Sequence, residues 1–182
     1  MKNATLPPAG RALAIQGAFA LAMALGLSAP PAVRAVPAAE PRVTVEFDHP
    51  EKFLDIKIWR IPADEAKDRR AVMTAFREFI TQRAAAYLPE GYRLSMKFTD
   101  MKLAGQFPPG GGGDTRVVNE HFPPVFVFSW TVTNRSGAVV KTGTENLMET
   151  SFMELYGATL DSGPYHFEKA VLDDWMRRNL RI

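Results

Sequence analysis

The chain has no cysteine in its 182 residues. That excludes a disulfide, a thiolate zinc site, a c-type haem attachment and a thiol nucleophile. Histidine is almost as scarce. His49, His121 and His166 are the only three, and no two stand at the close spacing of a zinc motif such as H-E-x-x-H. Charge of one sign is also missing. The 22 Lys and Arg against 20 Asp and Glu leave a net charge of +2, without the clustered basic excess of a nucleic-acid binder. The uncharged run from Ala12 to Leu27 makes about 24 Å of helix, short of a hydrocarbon core of about 30 Å. No internal repeat is visible, and the only low-complexity tract is a short glycine run.

What is present begins with an address. Lys2 and Arg11 precede the Ala12–Leu27 run, and the small-residue stretch S-A-P-P-A-V-R-A follows it. A positive start, a short apolar run and a small-residue end describe a secretory signal peptide over 1–35. Val33-Arg34-Ala35 places cleavage after Ala35. Ala29 is the rival site, with Pro30 directly behind it against it, and an uncleaved membrane anchor is the alternative. No cysteine follows for lipid attachment. Removal takes Lys2, Arg11 and Arg34 from the 22 basic residues, leaving 19 against 20 acidic and a net charge of −1. Residues 36–41 read as a flexible lead-in to a single domain over 42–182.

Val43, Val45 and Phe47 alternate with Thr44, Glu46 and Asp48, the period of a half-buried strand. Phe53 to Ile61, between Pro50 and Pro62, is either a second strand or an irregular segment lying on the core. Asp64 opens a helix to about Leu88 as its N-cap, with Val72, Phe76, Phe79, Ile80 and Tyr87 on one face and Arg69, Arg70 and Arg77 largely off it. Pro89 and Gly91 end it. Tyr92 to Thr99 alternates as a strand. Residues 100–123 read mostly as loop, with P-P-G-G-G-G-D as its tip. Residues 124–134 form a strand that is apolar on both faces in part, as a central strand is. Asn134-Arg135-Ser136-Gly137 turns into a partner strand over 139–147. A last helix runs from Pro164 or Tyr165 to Asn179, and residues 151–156 suggest a further helical turn.

These elements predict an α+β fold: a two-layer sandwich of a mainly antiparallel four- to five-stranded sheet with two amphipathic helices. All the aromatic residues but Phe19 lie beyond the leader, enough volume for a core without disulfides.

Several segments resemble the domain of unknown function 3016 family: Val45-x-Phe47-x-x-Pro50-Glu51-x-Phe53-x-Asp55-Ile56, Thr99-Asp100-x-x-Leu103-Ala104-Gly105, Arg116-Val117-Val118, Pro123-Pro124, and Lys169-Ala170-x-Leu172-x-Asp174-Trp175. The resemblance spans roughly residues 42–178. It implies an exported bacterial protein made of one domain. It brings no assigned activity and no catalytic residues to carry over.

The candidate chemistry is sparse. Asp55, Asp100 and Asp114 sit beside strand ends or loops, where catalytic carboxylates are often placed. Asp55 and Asp100 with His121 make an acid–base or metal-assisted hydrolytic set, and His49 and His121 with a carboxylate make a candidate metal site, provided the fold brings them together. The plainer reading of Asp55 and Asp100 is a turn role, with carboxylates bonded to nearby backbone. Asp173-Asp174-Trp175 is either a polar-aromatic binding edge or, the plainer reading, two aspartates facing solvent in i, i+4 pairs with Arg177 and Arg178 and Trp175 in the core. The glycine run lacks the Lys-Ser/Thr of a phosphate-binding loop, and no G-x-S-x-G elbow is present. Lys67, Arg69 and Arg70 are the candidate binding residues, either a solvated helix face or a contact for an anionic surface. No metal site and no cofactor is expected. The favoured reading is a non-enzymatic periplasmic or secreted module that binds an envelope protein or a small ligand and no nucleic acid. In that reading membrane contact comes only through the leader before cleavage.

Overall fold

The sheet has four strands in the order β1 (Val43–Phe47), β2 (Arg93–Lys102), β3 (Val125–Thr133) and β4 (Val139–Met148). A computed structural model describes residues 41–111, 114–155 and 163–182. The expected signal peptide, nearly all of the lead-in and part of the glycine run lie outside these residues. The described residues form one compact unit. Among the described residues no helix is long and apolar enough to cross a membrane.

β1 pairs with β2 in parallel, Val43 opposite Leu94 and Phe47 opposite Phe98. The other two pairings are antiparallel. The sheet is therefore mixed, and mainly antiparallel as expected. Parallel neighbours need a crossover, and helix α1 (Glu65–Tyr87) supplies it. The Asp64 carboxylate caps α1 by accepting the Lys67 N–H at 2.8 Å. At the far end the Arg42 guanidinium donates to the free carbonyls of Leu88 and Pro89. The start of β1 is thus tied to the end of the helix that follows it.

Helix α1 and helix α3 (His166–Asn179) cover one sheet face, and a four-residue helix α2 (Phe152–Leu155) packs on α3. The covered face is apolar and almost dry: Leu94, Met96, Phe98, Phe126, Phe128 and Val132 are essentially inaccessible, as are Val72, Phe76 and Ile80 of α1. The other face carries Arg93, Ser95, Lys97 and Ser129, and it is exposed. This is the two-layer α+β architecture that the alternation implied.

Three expectations change in detail. Phe53–Ile61 is the irregular segment, not a strand. It buries Phe53 and Ile56 but exposes Leu54, Trp59 and Ile61, and its only extended pairings among the described residues are isolated bridges, Asp55 to Lys102 at the end of β2 and Trp59 to Thr115. β2 continues to Lys102, past the expected end at Thr99, because a bulge between Phe98 and Asp100 resets the pairing with β3. Asp173 does not face solvent with Arg177. It is buried beside α1, where Arg83 donates to both its oxygens at 2.7 and 2.9 Å and the Tyr87 hydroxyl donates at 2.9 Å. Arg83 and Tyr87 stand one turn apart on α1, so together they reach the facing helix. Asp174 takes both arginines, Arg177 and Arg178.

The Asp173 cluster joins the two helices of the covering layer. Arg83 is partly exposed, so its pairing is screened. Replacing Asp173 by alanine should still cost about 1–3 kcal/mol, since it leaves Arg83 and Tyr87 without their shared acceptor. Urea unfolding midpoints measure it, and an unchanged midpoint would contradict the assignment.

Candidate ligand pocket

β2 runs on into Leu103 and Ala104, and these two residues start one wall of a pocket of about 180 Å³. Ile58 from the irregular segment, Val118 and the Arg116 side chain close a second wall. The first residues of α3, with Tyr165 before them, form the third. The lining is mostly apolar, with one carboxyl group, one imidazole and one guanidinium in it.

The carboxyl is Glu168, only 5% exposed. Its Oε1 accepts the Ala104 N–H at 2.8 Å. Burial raises its pKa above the ordinary carboxylate range, and the Ala104 N–H, its own N–H and the charges of His166 and Arg116 only partly oppose that. It lies in the first turn of α3, where the helix dipole also favours the anion, and burial still dominates. Tyr165 holds the N-cap position at φ +62°, in the left-handed region that side chains disfavour. Its ring lies 5.4 Å from Phe76, so the core pins this strained residue at the mouth of the helix.

Arg116 is built in, not free. Its Nε and Nη2 donate to the Lys57 carbonyl, Nη1 donates to the Gly105 carbonyl at 2.8 Å, and Nη2 reaches Asp55 Oδ1 at 2.6 Å. Its guanidinium also lies 5.0 Å over the Phe107 ring. One side chain therefore joins the irregular segment, the exit of β2 and the 116–118 segment. Gly105 completes the joint. At φ +76° it packs so closely that an added Cβ would lie 2.3 Å from the Val117 carbonyl oxygen. Gln106 and Val117 then exchange two backbone hydrogen bonds, at 3.0 and 2.8 Å.

The residues expected to act as a hydrolytic set take other places. Asp55 is the partner of Arg116. Asp100 Oδ1 accepts the backbone N–H groups of Leu54 at 2.7 Å and Met101 at 2.8 Å, so it ties the irregular segment to β2. Asp55 and Asp100 thus lie on adjoining segments with separate partners. His121 is exposed, 3.9 Å from Glu120, with its backbone N–H bonded to Asn119. None of the three lines the pocket. Among the described residues no group of three acidic or histidine side chains stands where it would hold a metal ion.

The basic candidates fall on a different surface. Arg69 and Arg70, joined by Arg77, border a groove of about 390 Å³ floored by Phe47 and Met73. Arg69 pairs with Glu65 at 3.3 Å. Arg77 donates to the Val45 carbonyl and lies 5.3 Å over Phe47. Lys67 is outside the groove.

Neither Glu168 nor Tyr165 is marked as a site residue by the sequence, where Tyr165 stands only as an alternative start of the last helix. A signal for Glu168 was there: Glu168, Leu172, Trp175 and Met176 stand at i, i+4, i+7 and i+8, so an acid sits in the buried stripe of the helix. Arg116 was visible only as part of a motif. Asp55, Asp100, the Leu103–Gly105 stretch and Arg116–Val118 all belong to the segments carrying the family resemblance, and all of them build or brace this pocket. No curated protein and no solved structure matches the chain. The family model described as Protein of unknown function (DUF3016) matches residues 41–178, a span that includes every wall of the pocket, and the chain belongs to that family.

Proposed function

We propose that the protein is an exported binding module and that the Glu168 pocket is its ligand site. Export rests on the leader pattern of residues 1–35. The binding role rests on one observation above others: a half-open apolar pocket with a single buried carboxyl in its wall. A dry cavity of about 150 Å³ admits benzene, so about 180 Å³ suits one ring or a short branched chain. Burial favours the protonated form of Glu168, whose hydroxyl is a donor there. The ligand class is a small neutral molecule, or a side chain of a partner, with an apolar body and one hydrogen-bond acceptor. Arg116 has its donors committed to the protein itself, so it braces the wall and does not clamp an anion.

The sign of the pH dependence follows from Glu168. Between the ordinary carboxyl range and its raised native value, the folded protein holds a proton that the unfolded chain has released. Stability is therefore full at the acid side of that window and falls as pH rises through it. Glu168→Gln keeps a carbonyl for the Ala104 N–H and removes the titration. Its melting temperature should equal the parent's on the acid side and exceed it on the alkaline side. Parallel curves for the two proteins would contradict the assignment. A neutral ring with an acceptor, such as acetophenone, should raise the parent's melting temperature on the acid side and lose that effect as Glu168 ionises. In Glu168→Gln the effect should persist at both. No shift at any pH, or a shift that survives filling the pocket with Val118→Trp, counts against the reading.

A further inference from the structure

The two edges of the sheet are finished differently. β1 is five residues long, and Arg77 of α1 takes the Val45 carbonyl. β4 is ten residues long, contains no proline, and among the described residues pairs with β3 alone. Its one register irregularity lies at the end nearest the turn, between Val132 and Thr133 of the partner. Val139, Val140 and Met148 on it are exposed at 59%, 41% and 58%. A long, partly apolar edge that no other described strand pairs is a template for another strand.

The side chains of β4 select what that strand is. Gly143, Glu145 and Leu147 lie on the helix-covered side and are half-buried, while Thr142, Thr144 and Asn146 point out. Gly143 is required by Trp130, whose Nε1 would lie 2.8 Å from an added Cβ. The same Nε1 donates to Glu145 at 3.0 Å, and the Lys141 ammonium lies 5.9 Å over the Trp130 ring and donates to the Asn179 carbonyl. Lys141 and Glu145 are the only charges on the strand, set symmetrically two residues either side of Gly143. Charges on the covered side of an edge repel an ordinary apolar strand. A strand that presents the opposite charge at the matching position is accepted instead.

We infer that β4 pairs with β4 of a second copy of this chain, antiparallel about a two-fold axis through Gly143. In that register Lys141 of each copy stands opposite Glu145 of the other, twice, and Thr142 stands opposite Thr144. The contact is isologous, so it closes as a dimer and does not propagate. The two four-stranded sheets become one of eight strands with all the helices on one side. Shifting the axis by two residues would put Lys141 against Lys141 or Glu145 against Glu145, so the charges also fix the register. This inference does not depend on the pocket.

The test is the mass of the purified protein by light scattering across a concentration series. The parent should run at twice the chain mass. Lys141→Glu alone and Glu145→Lys alone should each run at the chain mass, and the double exchange should recover the dimer. A monomeric parent, or a dimer unmoved by either single reversal, overturns the inference. Because Glu145 also bonds Trp130, a second measurement avoids that contact. The chain has no native cysteine, so chains carrying Thr142→Cys and Thr144→Cys can be mixed and oxidised. The inference requires a disulfide formed mainly between the two kinds of chain. Equal cross-linking within each kind contradicts it.

Discussion

Replacing Phe98 with alanine should destabilise the protein by about 3–5 kcal/mol, the usual cost of removing a large buried ring. Phe98 is inaccessible to solvent and stands on a central strand, with ring centroids of Phe47 at 5.3 Å, Phe128 at 5.0 Å and Phe126 at 6.3 Å. Those rings come from β1 and β3, so Phe98 joins three strands under the helices. Phe128 continues the chain of contacts to Trp175 of α3 at 4.9 Å. The protein has no disulfide to hold the unfolded state in check, and a domain of this size has only about 5–15 kcal/mol in total. A loss of that size removes between about a fifth and all of that total, so the urea midpoint should fall clearly or the chain should unfold outright. Phe98→Leu keeps most of the volume and should cost clearly less. A loss below about 1 kcal/mol for the alanine variant would mean that the aromatic cluster is not the core of the fold.

Gly105→Ala is the second large effect, and it connects stability to the pocket. The left-handed backbone alone costs an alanine about 1–2 kcal/mol. The 2.3 Å approach of the added Cβ to the Val117 carbonyl oxygen is to backbone, not to a side chain that can swing away. Relief requires separating the 104–106 and 116–118 segments, which breaks the Gln106–Val117 hydrogen bonds and moves Arg116 off the Gly105 carbonyl. The expected total is more than about 2 kcal/mol. Neutral-ring binding should be lost along with it, because both segments are pocket walls. A variant that unfolds at the parent's midpoint would show that the close approach is absent. Substituting Gly137, which also has positive φ but meets nothing within 4 Å, should cost only its backbone strain.

The layer architecture was legible in the sequence because it is written in local periodicity. The alternation of Val43, Val45 and Phe47 and of Leu94, Met96 and Phe98 marked the covered face, and the Val72–Phe76–Ile80 stripe marked its cover. The Asp64 cap and the Asn134–Gly137 turn were legible for the same reason: each is satisfied within a few residues, as in the Asn134 side chain accepting from Ser136 and Ala138. The site was not legible, because its contacts are long-range. Ala104 meets Glu168 across 64 residues and Arg116 meets Asp55 across 61. No local pattern reports such pairs. Asp55, Asp100 and His121 attracted notice for their chemistry alone, and residue type does not say which carboxylate the fold buries. Asp100 and Asp55 are bonded to backbone and to Arg116, while the acid whose ionisation burial opposes is Glu168. Asp173 shows the same limit. Its spacing from Arg177 fits an exposed pair, yet α1 offers Arg83 and Tyr87, and a buried acceptor with three donors displaces a surface pairing.

The proposed function stands or falls with a small neutral ligand in the cavity beside Glu168. Its most direct test is a titration of isotope-labelled protein with acetophenone, followed by amide and methyl NMR shifts at a pH where Glu168 is protonated. Saturable shifts confined to Ile58, Leu103, Ala104, Val118, Phe167 and Glu168 are expected, and they should fade when the pH is raised through the Glu168 titration. Shifts that never saturate, or that scatter over the exposed face of the sheet and leave those residues unmoved, would contradict it.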